Sequence, residues 1–234
     1  MIFFEFFMLF FAVFCGFMAE YMLEYQLERE QEKEFMVSMV EELQADSVQV
    51  NFILRDSTRV HTLDTLSLLI LGGDRSFGNM LKIYQLYYGH AGVVVGMEFN
   101  RNTLTQLKNA GNMRLIRNLD VVDSLNMLDN MIRELDDQMD SYREITMENF
   151  RLGAKTFDLS YMVRNGRWMS QEEFNQHVKT LTFLTNDRAS VIELGNSIQF
   201  QSSILKYYHL MLNQYRGYSN RLIRYLQKEY DLKD

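Results

Sequence analysis

The chain has 234 residues and a formal net charge of −7, with 47% hydrophobic and 24% charged residues, a composition that supports a sizeable core and excludes a wholly disordered polymer. It contains no proline, only 12 glycines and one cysteine. So few breakers favour long helices over a many-stranded sheet, and a single thiol excludes an intramolecular disulfide and a cysteine-based zinc site.

Met1 to Ala19 reads MIFFEFFMLFFAVFCGFMA, with Glu5 its only charge. The uninterrupted apolar stretch Phe6–Ala19 is 14 residues, shorter than the ~20 a full span needs. Adding Met1–Phe4 and the amphipathic Tyr21–Leu23 brings it to membrane length, with Glu5 near one interface where its carboxylate can reach the headgroups. Aromatic residues on every face argue against a buried core helix. No Lys or Arg precedes Arg29, so a cleaved secretory signal is disfavoured, and Phe14 before Cys15 does not suit a lipoprotein signal. A short basic head before Met1 would place the N-terminus in the cytoplasm and the body outside. Ala12, Cys15, Gly16 and Ala19 follow i, i+3, i+4, i+7 spacing and gather the small residues on one face, the pattern by which transmembrane helices pack closely.

Between Glu20 and Asp46 nine acidic residues face only Arg29 and Lys33, so the whole net charge falls in this segment and the remainder is balanced. Such a collar repels phosphate, which excludes nucleic acid as a partner and keeps the segment off an anionic lipid surface. Residues 20–34 are expected as a polar helical stem in which only Leu23 and Leu27 are spaced for burial. Met36, Met39, Val40, Leu43, Val50, Ile53, Leu54 and Val60 then line one side of a helix. Gly72-Gly73-Asp74 stops the helical run.

Phe77 to Tyr88 suits a short helix, broken by Gly89, Gly92 and Gly96, with Val93–Val95 as a loop or cap. Asn102 or Thr103 can cap a short helix ending at Gly111. From Leu119, the series Val122, Leu125, Leu128, Ile132, Leu135, Met139, Tyr142 and Ile145 predicts a helix to about Tyr161. Asn165-Gly166 marks a turn, Ser170-x-x-Glu173 is a capping box, and Asn186 or Asp187 starts the last helix. Its seam runs Val191, Leu194, Ile198, Gln201, Leu205, Tyr208, Leu212, Tyr215, Ser219, Leu222, Leu226, a 3.5-residue repeat over five heptads that is expected to be buried within the chain. The fold expected is all-α: a transmembrane anchor over 1–23, an acidic helical stem over 24–46 and an antiparallel bundle of long helices over 47–234.

The run from Phe6 to Asp46 and the segment TLTQLKNAGNMRLIRN resemble a family of uncharacterised single-pass membrane proteins found widely in Bacteroidota. The second stretch matches on Leu107, Lys108, Gly111, Arg114, Leu115 and Ile116. The resemblance implies an N-terminal span, a stem and long helices, and carries no activity.

For chemistry there is little. His61, His90, His177 and His209 are scattered, and Glu173 with His177 reads as a solvent-facing pair. No metal-protease, phosphate-loop or nucleophile-elbow pattern occurs. Lys108, Arg114 and Arg117 around Gly111 could present donors to an anionic ligand or a partner's carboxylate, although Gly111 as a helix stop with Leu115 and Ile116 plugging the core is the simpler reading. Trp168, beside Arg164 and Arg167, is a core plug or a partner anchor. No cofactor, metal or catalytic residue is expected. The expected partners are membrane lipid and a membrane protein or a second copy of the chain. The expected role is that of a structural or accessory protein of the bacterial inner membrane, with its body in the periplasm, and the second reading is a ligand-sensing bundle acting through a partner.

Overall fold

The computed structural model describes residues 2–55, 58–94, 96–109, 111–158, 160, 163–164, 167–168, 170, 172–173, 176, 181–185 and 187–232. The protein is mostly helical and begins with one long apolar helix. In chain order the helices are α1 (Ile2–Arg55), α2 (Thr58–Leu71), α3 (Phe77–Leu86), α4 (Asn102–Asn109), α5 (Leu119–Thr156) and α6 (Arg188–Glu229). A π-helical turn, Tyr87–Ala91, follows α3, and a 3-10 turn, Asn112–Leu115, follows α4. Val163–Arg164 and Arg167–Trp168 form a two-residue antiparallel ladder.

Two compact units emerge. The first comprises residues 1–48, 99–130 and 217–234, and the second 49–98 and 131–216. In the first, Met36, Met39 and Leu43 of α1 are buried, as are Leu125 and Leu128 of α5 and Leu222 and Leu226 of α6. In the second, Leu63, Leu66 and Ile70 of α2, Met80 and Ile83 of α3, and Leu194, Ile198 and Leu205 of α6 are buried.

Every one of the eleven seam positions of α6 from Val191 to Leu226 is buried. Gln201 is tolerated there because it is used. Its amide nitrogen donates to Thr146 Oγ1 (2.9 Å) and to the Ala91 carbonyl (3.1 Å), and its oxygen accepts from Asn149 (2.9 Å). The Ala91 carbonyl closes the π-helical turn, where the regular ladder ends, so Gln201 satisfies a backbone group that would otherwise be costly to bury.

Local signals explain the helix ends. Gly72 N–H bonds the Leu68 carbonyl and Gly73 takes φ 77°, the left-handed stop that glycine permits. Asp187 caps α6 by accepting from Ala189 (3.2 Å) and Ser190 (3.1 Å). Ser170 and Glu173 exchange the two bonds of a capping box, at 2.8 and 3.2 Å.

Some expectations are corrected. Gly89 does not break the helix, because the chain widens into the π-helical turn and stops at Gly92. The helix after Leu119 ends at Thr156, not near Tyr161. Phe157 instead pairs with Phe183 and packs its ring on Tyr84 and Tyr87, with centroids 4.9 and 4.2 Å away. Val121, not Val122, is the fully buried residue at the start of α5. The expectations at Asn165-Gly166, His177 and Asn186 lie outside the described residues.

Gly153 of α5 lies where a β-carbon would stand 1.6 Å from the Tyr87 hydroxyl. Gly153→Ala is therefore expected to destabilise the fold by about 1–3 kcal/mol despite alanine's better helix propensity, read as a lower thermal midpoint of the full chain in detergent. Burial also pushes the Tyr208 phenol up to about 12, and Tyr87 is raised for the same reason. The folded state thus favours the neutral phenols, so this stability is complete below the ordinary value of about 10 and falls as pH rises through 10 to 12. Denaturant midpoints should drop between pH 9 and pH 11.5, and less steeply in Tyr208→Phe.

Candidate functional site

Among the described residues one helix is long and apolar enough to cross a membrane, and none of its apolar window is buried in the protein. Phe4, Phe7, Phe10, Phe14 and Phe17 are all at least half exposed. Such side chains carry a large penalty in water and none in hydrocarbon. Phe7 stacks on Phe11 and Phe10 on Phe14, each pair one turn apart with centroids 6.3 and 6.4 Å away. Ala12, Cys15, Gly16 and Ala19 are all exposed, and the space a β-carbon would take at Gly16 is open. Leu23 and Leu27, which the sequence spaces for burial, are 58% and 56% exposed.

The acidic part of α1 behaves differently. Glu28, Glu32, Glu42 and Asp46 serve as acceptors for the segment that leads from Asn100 to Asn118. Asp46, 1% exposed, takes both the backbone N–H (3.1 Å) and the side-chain amide (2.7 Å) of Asn100. Glu42 accepts from the Thr103 N–H and hydroxyl, both at 3.0 Å. It thereby caps α4 from a neighbouring helix, where a negative charge also opposes the positive end of the helix dipole. Glu32, 2% exposed, accepts from the Arg117 backbone N–H (3.2 Å) and the Tyr230 hydroxyl (2.7 Å), and pairs with Arg29 at 3.4 Å. A carboxylate that deeply buried persists only when its lone pairs are used in this way.

Arg117 closes the segment. Its guanidinium lies 3.8 Å from the centre of the Tyr25 ring and 3.4 Å from the Glu28 carboxylate. Asn118 starts α5 by accepting from Asp120 N–H (2.9 Å) while donating to Tyr225 (3.1 Å) and Glu229 (2.8 Å). Burial and the neighbouring Glu32 hold the Tyr230 phenol well above its ordinary value.

The cationic residues singled out by the sequence therefore do not converge. Lys108 pairs with Asp129, Arg117 belongs to the Tyr25 and Glu28 contact, and Arg114 is exposed. Gly111 adopts φ 67° between α4 and the 3-10 turn, while Leu115 and Ile116 are buried beneath it, the helix stop and core plug of the simpler reading. Trp168 is the last residue of the small ladder. Among the described residues no group of three His, Cys, Asp or Glu side chains could hold a metal ion.

Two features escape a reading by sequence. One is the acceptor row of α1, although Glu28, Glu32, Glu42 and Asp46 share a helix face at heptad spacing, a signal that was present. The other is a cleft of about 550 Å³ lined by Arg75 and Arg188, which lie far apart in the chain. No family model, curated protein or solved structure matches the chain.

Removing the Tyr230 hydroxyl strips one donor from a buried carboxylate, so Tyr230→Phe is expected to cost about 1.5–3 kcal/mol. A double-mutant cycle with Glu32→Gln should return a coupling of at least 0.5 kcal/mol, the sign of a direct contact, measured by denaturant unfolding of the full chain.

Proposed function

We propose that this chain is a single-pass, membrane-anchored structural or accessory protein that binds other membrane or envelope proteins through its N-terminal helix. The observation that carries the reading is the bare apolar half of α1: Phe4 and the large side chains from Phe7 to Leu27 are exposed, a state that lipid and a packed partner helix relieve. The small-residue face of Ala12, Cys15, Gly16 and Ala19 is the docking element, and its occupant is another membrane protein or a second copy of the chain. The resemblance to single-pass proteins of Bacteroidota supports the single span; the orientation proposed, N-terminus in the cytoplasm of a bacterial inner membrane and body in the periplasm, rests on the positive-inside rule.

In this reading the acidic part of α1 is the stem, and α5 and α6 form part of an antiparallel bundle. Within the first unit Asn118 bonds Tyr225 and Ser124 bonds Tyr218, so positions advance along α5 as they recede along α6. A second reading, a ligand-sensing bundle that acts through a partner, is favoured by the cleft lined by Arg75 and Arg188.

The chain should stay with membranes through alkaline carbonate washing, and a periplasm-active reporter fused after Asp234 should be active. Gly16→Leu should keep the protein in the membrane while weakening self-association or partner capture in a membrane two-hybrid assay. Release by carbonate, or an unchanged two-hybrid signal, would count against the anchor or the docking face respectively.

A further inference from the structure

The second unit contains a cleft of about 550 Å³ between the end of α2, the turn into α3 and the start of α6, a volume within the ~300–1,000 Å³ typical of small-molecule sites. Its floor is apolar: Ile70 and Met80 are buried, Val191 is 7% exposed, and Ile192 at the rim is 38% exposed. Two cations line it, Arg75 and Arg188, and no acidic residue does. The nearest carboxylates in sequence are already engaged. Asp74 accepts from the Ser76 N–H (2.9 Å) and hydroxyl (3.2 Å), and Asp187 from the first N–H groups of α6.

Arg75 is held rather than loose. It donates to the Ile70 carbonyl at 2.9 Å and lies 4.7 Å from the centre of the Phe183 ring. It also donates to the Asp74 carbonyl at 3.4 Å, and the Asp74 carboxylate offsets part of its charge; a guanidinium carries five donors, so some remain for a ligand. Arg75 is exposed at the cleft. Arg188 is the first residue of α6. The helix end itself is already capped by Asp187, so Arg188 offers its guanidinium rather than the helix dipole to an anion.

We propose that this cleft binds an anionic amphiphile, with a carboxylate or phosphate taken by Arg75 and Arg188 and an alkyl chain laid over Met80, Val191 and Ile192. Guanidinium groups suit such oxyanion heads, and the apolar floor selects a chain over a bare inorganic ion. A free fatty acid and an anionic membrane lipid present the same chemistry. The assignment concerns the second unit and does not depend on what the N-terminal helix docks.

The test is isothermal titration of sodium octanoate into the full chain in phosphatidylcholine nanodiscs, with empty nanodiscs subtracted. Saturable binding is expected, weakened about tenfold or more in Arg188→Gln, a surface substitution that leaves the Arg75 contacts intact. Octan-1-ol, with the chain but no charge, should bind at least tenfold more weakly than octanoate. Nanodiscs containing phosphatidylglycerol distinguish the sources: weaker apparent octanoate affinity there marks the membrane lipid as occupant, and unchanged affinity marks the free acid. Absence of saturable octanoate binding, equal binding of octanol, or wild-type affinity in Arg188→Gln overturns the proposal.

Discussion

A carboxylate withdrawn from water must have its lone pairs used, and in the first unit that requirement organises the chain around α1. Glu32 and Asp46 are almost wholly buried, and Glu42 is partly so, with only its Oε1 used and its Oε2 left without a partner among the described residues. Each is met by backbone N–H groups of the segment between Asn100 and Arg117. These donors have a fixed spacing along the backbone, and the acceptors have the fixed spacing of a helix face. Agreement between the two sets the position of α4, the left-handed turn at Gly111 and the start of α5. Charge that looks from composition like a solvated collar is, on one face of the helix, an internal scaffold.

The second unit has a comparable node built from neutral groups. Gln201 joins α6 to α5 through Thr146 and Asn149, and to the π-helical turn through Ala91. Tyr87, from the same turn, donates to the Asn149 carbonyl at 2.9 Å and fills the notch left by Gly153. An extra residue in a helical turn leaves backbone groups out of register, and such turns last where side chains make up the deficit. A polar residue inside an apolar seam has here a specific geometric duty.

Much of the fold was legible because it follows from local rules. The eleven-position seam of α6, the stop at Gly72-Gly73, the Asp187 cap and the Ser170–Glu173 box depend only on residues a few places apart. What was not legible depends on distant partners. Leu23 and Leu27 have the spacing of buried residues, yet spacing cannot say whether a covering element exists. The end of α5 is set by Phe157 meeting Phe183, and the α4 cap comes from Glu42 rather than from Asn102 or Thr103. Of the residues named as candidates, Lys108 and Arg117 find carboxylates on separate elements, so their closeness in sequence overstated their closeness in chemistry. Arg75 and Arg188 show the reverse case, with more than a hundred residues between two cations that line one cleft.

The contact between Arg117 and Tyr25 also works as a ruler. Phe4 to Leu23 is 20 residues, which at ~1.5 Å per residue is about 30 Å, close to the thickness of a bilayer's hydrocarbon. Tyr25 lies only two residues further on, so the first side-chain stack made by the body falls within about one helical turn of the apolar stretch. In the membrane-anchored reading this leaves no free length of helix between lipid and folded protein. Tyr21 and Tyr25 then sit at headgroup level, where tyrosine is favoured. The depth at which the helix enters the bilayer would thereby be fixed by a protein contact as well as by hydrophobic length.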